Sequence, residues 1–208
     1  MLSDILFYTV FFGANDASLP TARQHLSIEE YGSNMRKMIS IIRNNSNSKN
    51  GDNDIDNCTD ADTNTGLSHI PPPIVLFTPP PCDPEAWDRY CTVTSPRPLS
   101  PRCNDNVRKY GREIIKIGSE FKNCPVIDTF ELLGGDDRDS DGDGGNSNCK
   151  QYLTDGLHLT EEANTMIHKK LMDVLRKSYR HLYPMKDGEG KYGRVGVPLD
   201  GPLWSELC

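Results

Sequence analysis

Ile5-Leu6-Phe7-Tyr8-Thr9-Val10-Phe11-Phe12 runs straight into Gly13-Ala14-Asn15-Asp16. A nearly unbroken apolar run of this length predicts a strand over residues 4–12 that is buried on both faces, as strands of a parallel sheet are. The glycine behind it lets the chain turn sharply at the strand's carboxyl end. Asn15 then sits where a side-chain amide can either close an ordinary Asx turn or donate to a developing oxyanion.

The rest of the chain supplies the layers that such a sheet needs. Ser27 and Glu30 form a capping box, and Ile28, Tyr31, Met35, Met38 and Ile42 follow at 3-4-3-4 spacing, one face of a helix. Pro71-Pro72-Pro73 precedes a second apolar strand, Ile74-Val75-Leu76-Phe77, and Thr78-Pro79-Pro80-Pro81 stops it. A helix over about 103–122 carries the stripe Val107, Tyr110, Ile114, Ile117 and Phe121. A short strand follows at Pro125-Val126-Ile127-Asp128. Thr160 caps a last helix, with Glu161 and Glu162 in its first turn and Ala163, Ile167, Leu171, Val174 and Leu182 on its apolar face. The order β-α-β-α-β-α predicts an α/β fold with a parallel sheet, whose sites lie at the carboxyl ends of the strands.

Two tracts interrupt this pattern. Residues 44–68 are rich in Asn, Asp, Ser and Thr, and residues 134–148 in Gly and Asp; neither can bury apolar surface, and both read as disordered inserts. Residues 1–182 form the predicted domain and 183–208 a tail, in which Pro202-Leu203-Trp204 could dock. Within the second insert, Asp139 to Gly144 imitates the start of a calcium loop, but the twelfth position is Lys150 where a bidentate Glu is needed. It reads as a solvated acidic loop.

Composition narrows the partners. The 208 residues carry a formal net charge of -7, which argues against nucleic acid and anionic membrane surfaces. No apolar run approaches the roughly 20 residues of a membrane span. Asp4 and the absence of a basic leader read against a secretory signal. Seven cysteines without a CxxC pair favour reduced thiols and a cytoplasmic protein. The cysteines lack metal-site spacing and His25, His69, His168 and His181 show no ligand pattern, so no structural metal is expected. The sequons at Asn44 and Asn57 lie in an Asn-rich tract where such triplets arise by chance.

Asp155-Gly156-Leu157-His158 precedes the last helix. A three-residue step inside a turn can bring a carboxylate to the near nitrogen of an imidazole and leave the far nitrogen free to take a proton. The spacing alone is a weak signal; its place in a loop before the final helix, on the rim that Asn15 also occupies, strengthens it.

The two blocks resemble the third and fifth blocks of the SGNH (GDSL-type) hydrolases, and the wider chain is similar to the isoamyl acetate-hydrolysing esterases. The similarity runs through Phe11 to Ala17, Gln24-His25-Leu26, Glu29-Glu30-Tyr31 and Asn34. It continues through Thr78 to Pro81 with Trp87, Arg102 with Asn104 and Tyr110, Tyr152 to Leu159, and Pro202-Leu203-Trp204. The resemblance implies a flavodoxin-like three-layer α/β/α sandwich and cofactor-free hydrolysis of short-chain, acetate-type carboxylic esters. It gives His158 the role of general base, Asp155 that of orienting carboxylate and Asn15 that of oxyanion donor. No Gly-Asp-Ser and no G-x-S-x-G occur in the 208 residues. The expectation is therefore an N-terminally truncated chain whose nucleophilic serine lies outside it, leaving an open apolar edge and a poorly soluble polypeptide. The alternative expectation is a catalytically dead short isoform acting as a binding or regulatory protein. A small ester is the expected partner; self-association is left open.

Overall fold

The computed structural model describes residues 5–47, 72–94, 101–135 and 148–179. Strands β1 (Tyr8–Val10), β2 (Ile74–Phe77) and β3 (Val126–Ile127) form a parallel sheet in that order. Tyr8 pairs with Ile74 and Val10 with Leu76 on one side of β2; Leu76 pairs with Val126 and Phe77 with Ile127 on the other. The helices are α1 (Ile28–Asn47), α2 (Pro84–Thr94), α3 (Asn104–Glu120), α4 (Thr129–Leu132) and α5 (Glu161–Ser178), with a 3₁₀ turn at Asn148–Tyr152.

Alternation along β2 divides the core in two. Ile74 and Leu76 join Tyr31, Met35 and Ile39 of α1 and Val107, Tyr110, Ile114 and Ile117 of α3. Val75 and Phe77 join Ile127, Leu133 and the Ala163, Ile167 and Leu175 face of α5. Side chains of successive strand residues point to opposite faces, so a strand apolar at every position must have helices on both sides. This is the three-layer arrangement predicted.

The helix readings hold with adjustments. The capping box is formed: Ser27 N–H and Oγ both donate to Glu30 Oε2, and Glu30 N–H donates back to Ser27 Oγ at 3.2 Å. On α1 the fully buried set is Tyr31, Met35 and Ile39, with Ile28, Met38 and Ile42 packed at its margin. On α5, Leu175 and not Leu171 or Val174 is fully buried, and Leu182 lies outside the described residues. Helix α2 was not anticipated; no apolar stripe announces it, and none of its residues is buried. Helix α1 runs through Asn47, beyond the predicted insert boundary at 44. The remainder of that insert, most of the second and the tail lie outside the described residues.

One expectation is overturned. Residues 4–12 do not make a long strand buried on both faces. Only Tyr8–Val10 is strand, Thr9 is exposed, and Ile5, Phe11 and Phe12 keep 37%, 39% and 57% of their surface in solvent. The reason is position. Among the described residues β1 is an edge strand, paired only with β2, so one side has no neighbour. An apolar edge with free backbone groups is a template for self-association.

Arg43 fastens the end of α1 to two other elements, donating to Pro72 O, just ahead of β2, and to the carbonyls of Lys122 and Asn123 in the turn before β3. Ile114, fully buried between α3 and the sheet, is the most direct test of this packing. Ile114→Ala is expected to lower unfolding free energy by about 2–5 kcal/mol, read as a shifted urea midpoint at unchanged slope.

Candidate active site

The carboxyl ends of β1 and β2, the start of α3 and the turn before α5 meet at one rim. After β1 the chain turns at Gly13, whose φ is +112°. A Cβ here would stand 2.6 Å from both Pro79 Cγ and Tyr31 Oη, so the residue is fixed by conformation and by space. Tyr31 donates to Phe12 O at 3.1 Å, and Ala17 N–H donates to Gly13 O at 2.9 Å. Asn15 is thereby presented at the rim, exposed.

The end of β2 is joined to the end of β3 by hydroxyls. Thr78 Oγ1 donates to Asp128 Oδ1 at 3.0 Å and accepts from Thr129 N–H at 2.9 Å, while Thr129 Oγ1 donates to Thr78 O. The three prolines follow. Asn104, at the start of α3, then pairs with both backbone groups of Cys82: its Oδ1 accepts from Cys82 N–H and its Nδ2 donates to Cys82 O, each at 2.9 Å. Burial pushes the Cys82 thiol up to about 12, so it is not a thiolate nucleophile. Asn106 donates to Ala17 O at 2.9 Å.

The Asp155–His158 turn is closed by its own backbone. Thr154 N–H donates to His158 O at 2.8 Å, and Leu153 bridges Leu159 in antiparallel fashion. Asp155 Oδ1 accepts from the N–H groups of Leu157 (3.0 Å) and His158 (2.8 Å), and Oδ2 lies 2.6 Å from His158 Nδ1. Burial disfavours the Asp155 charge, but the hydrogen bonds from His158 and Leu157 outweigh it and hold the carboxyl below its usual range. Gly156 has φ +94° and approaches the start of α2 so closely that a Cβ would stand 2.5 Å from Asp83 O and Trp87 N. Its carbonyl accepts from Asp83 N–H at 2.9 Å.

His158 and Asn15 line one open cleft of about 240 Å3, whose other walls are Phe11, Phe12, Ala14, Pro80, Leu157 and Leu159. The sequence-predicted residues are therefore brought together. Two residues without a role in the sequence reading link them. Arg102, 6% exposed, donates to Ala14 O and to Asn15 Oδ1 (3.0 Å). Its guanidinium lies 5.3 Å from the Trp87 ring centroid, and that ring meets His158 edge-on at 5.9 Å. No serine lines the cleft among the described residues. Ser18 is fully buried, and Ser3 lies outside the described residues.

Comparison with known proteins fits this geometry. The model of the GDSL-like lipase/acylhydrolase family matches residues 4–171. The chain belongs to that family. Among relatives, the mouse isoamyl acetate-hydrolyzing esterase 1 homolog is 27% identical over 176 residues, covering 84% of this chain and 57% of the mouse protein. The isoamyl acetate-hydrolyzing esterase of Saccharomyces cerevisiae is 25% identical over 185 residues, covering 88% and 61%. A solved structure from Streptococcus pneumonia, provisionally named a platelet activating factor, superposes with a TM-score of 0.50 at 17% identity, over 81% of this chain and 59% of that one. The last likeness concerns the fold. The chain spans about three-fifths of the length of the two esterases it matches.

Among the described residues no helix is long and apolar enough to cross a membrane, and no cluster of three or more metal-ligating side chains occurs.

Two expectations follow for the turn. Gly156→Ala forces a Cβ into the backbone of α2, and is expected to break the Asp155–His158 contact; the His158 ring resonances should move to those of a free imidazole. Because the Asp155 pKa is lowered on folding, its contribution to stability is present above the ordinary carboxylate range and is lost as pH falls through the lowered value. Asp155→Asn should flatten that acid limb in melting curves taken across pH.

Proposed function

We propose that the cleft is the acyl-transfer site of a short-chain carboxylic ester hydrolase. The observation that carries this reading is the 2.6 Å contact of Asp155 with His158 in the same cleft as Asn15. The Asp155 carboxylate accepts from Nδ1–H, fixes that tautomer and leaves the Nε2 lone pair to take a proton from a serine hydroxyl. As the serine oxygen attacks the ester carbonyl, the carbonyl oxygen gains charge, and Asn15 Nδ2–H donates to it. The tetrahedral intermediate expels the alcohol, which takes the proton from His158; water then releases the acid by the reverse sequence. On this reading the serine belongs to a Gly-Asp-Ser block, which the 208 residues do not contain, and no serine stands in the cleft among the described residues. The apolar walls suit an uncharged substrate, and the small cleft suits a short one.

The missing serine also supports a second reading, a binding protein that keeps the cleft without chemistry. Hydrolysis of p-nitrophenyl acetate separates the two. The 208-residue protein alone should run at background. A form with a strand and Gly-Asp-Ser segment placed ahead of Met1 should turn over. In that form His158→Ala should cost about 10⁶ in turnover, and Asn15→Ala about 10²–10³. Turnover that survives His158→Ala would reject the hydrolase site; no turnover in the extended form would favour the binding protein.

A further inference from the structure

Arg102 is buried, and among the described residues no carboxylate pairs with its charge. Its Nε has no hydrogen-bond partner there either. A desolvated cation without an ionic partner is a poor way to gain stability, so its contacts need another account. They are specific: one guanidinium nitrogen donates to Ala14 O, another to Asn15 Oδ1, and Cζ lies over the Trp87 ring.

The chemistry of a carboxamide supplies the account. Its two ends have nearly the same shape and opposite hydrogen-bonding character, and the torsion that exchanges them is soft. A guanidinium donates only. It can therefore hold Asn15 by Oδ1 and never by Nδ2. We propose that Arg102 is a positioning residue that locks the Asn15 carboxamide with its N–H2 on the cleft side, so that the cleft is offered a donor and not a lone pair. The flipped amide would turn Oδ1 toward the anionic oxygen it has to stabilise. The bond to Ala14 O and the Trp87 ring over which Cζ lies hold the guanidinium in place. Because Trp87 also meets the His158 ring, one indole spaces the donor from the imidazole. A lysine has no such planar fork and cannot bridge Ala14 O and Asn15 Oδ1 in this way. The catalytic consequence rests on the hydrolase reading; the lock itself does not.

The lock is tested without substrate on the 15N-labelled 208-residue protein. The Asn15 side-chain amide, assigned by its loss in Asn15→Ala, should show an order parameter of about 0.85 in the native protein. It should drop below about 0.6 in Arg102→Met and in Arg102→Lys. Arg102→Lys keeps the charge and stem, and decides the matter if Arg102→Met does not fold. An Asn15 amide equally ordered in both variants overturns the lock. In the serine-bearing extended form, Arg102→Met should lower kcat at unchanged KM, by less than the roughly 10²–10³-fold expected of Asn15→Ala, which deletes the donor outright. Combined with Asn15→Ala it should be no slower than Asn15→Ala alone, because Arg102 acts only through that amide. Losses that multiply would overturn a role through Asn15. Absence of any turnover in that form would count against the hydrolase reading, while the order parameters still decide the lock.

Discussion

The complete burial of β2 is the constraint from which the rest of the molecule follows. Ile74, Val75, Leu76 and Phe77 are each at most 3% exposed. Covering two faces of one strand requires helices on both sides, and helices on both sides require crossovers that return the chain in parallel. Parallel strands end at the same rim. The Gly13 turn, the proline run and the Asp128–Thr129 step are consequently neighbours, although more than 110 residues separate the first from the last. The hydroxyl links between Thr78 and Thr129 make that rim stiff.

The part of the structure legible in sequence is the part governed by local rules. The Ser27–Glu30 box, the α3 stripe, the Thr160 cap and the parallel order all announce themselves through period or capping chemistry. So do Asp155 and His158, because their contact is made within one turn. Where tertiary context decides, the reading fails. Apolarity at Phe11 and Phe12 does not reveal whether a neighbour covers them, and the edge position of β1 leaves both exposed. Helix α2 has no buried residue and hence no stripe to read. Arg102 and Trp87 enter the resemblance as positions, but their function depends on contacts across 87 and 71 residues, for which one sequence holds no local signal.

The site also shows a division of labour between backbone and side chains. Asp155 spends one oxygen on two backbone N–H groups and the other on His158. The carboxylate is thus oriented before the imidazole binds to it. Gly156 permits the turn and simultaneously joins it to α2. Asn104 treats Cys82 as a strand would, using an amide side chain in place of a backbone. None of these contacts is strong alone, at about 1 kcal/mol net for a typical hydrogen bond. Their effect is to place groups from separate elements without relying on the loops between them.

Arg43 extends this principle to the longest polar tract. Its guanidinium lies on the last turns of α1 yet holds Pro72 O at the far end of that tract, along with the Asn123 carbonyl. The two points that the tract must connect are therefore pinned by a contact of their own. Such a bracket makes the register of α1 against the β2 and β3 entries a property of the framework itself, set by one guanidinium that three carbonyls share.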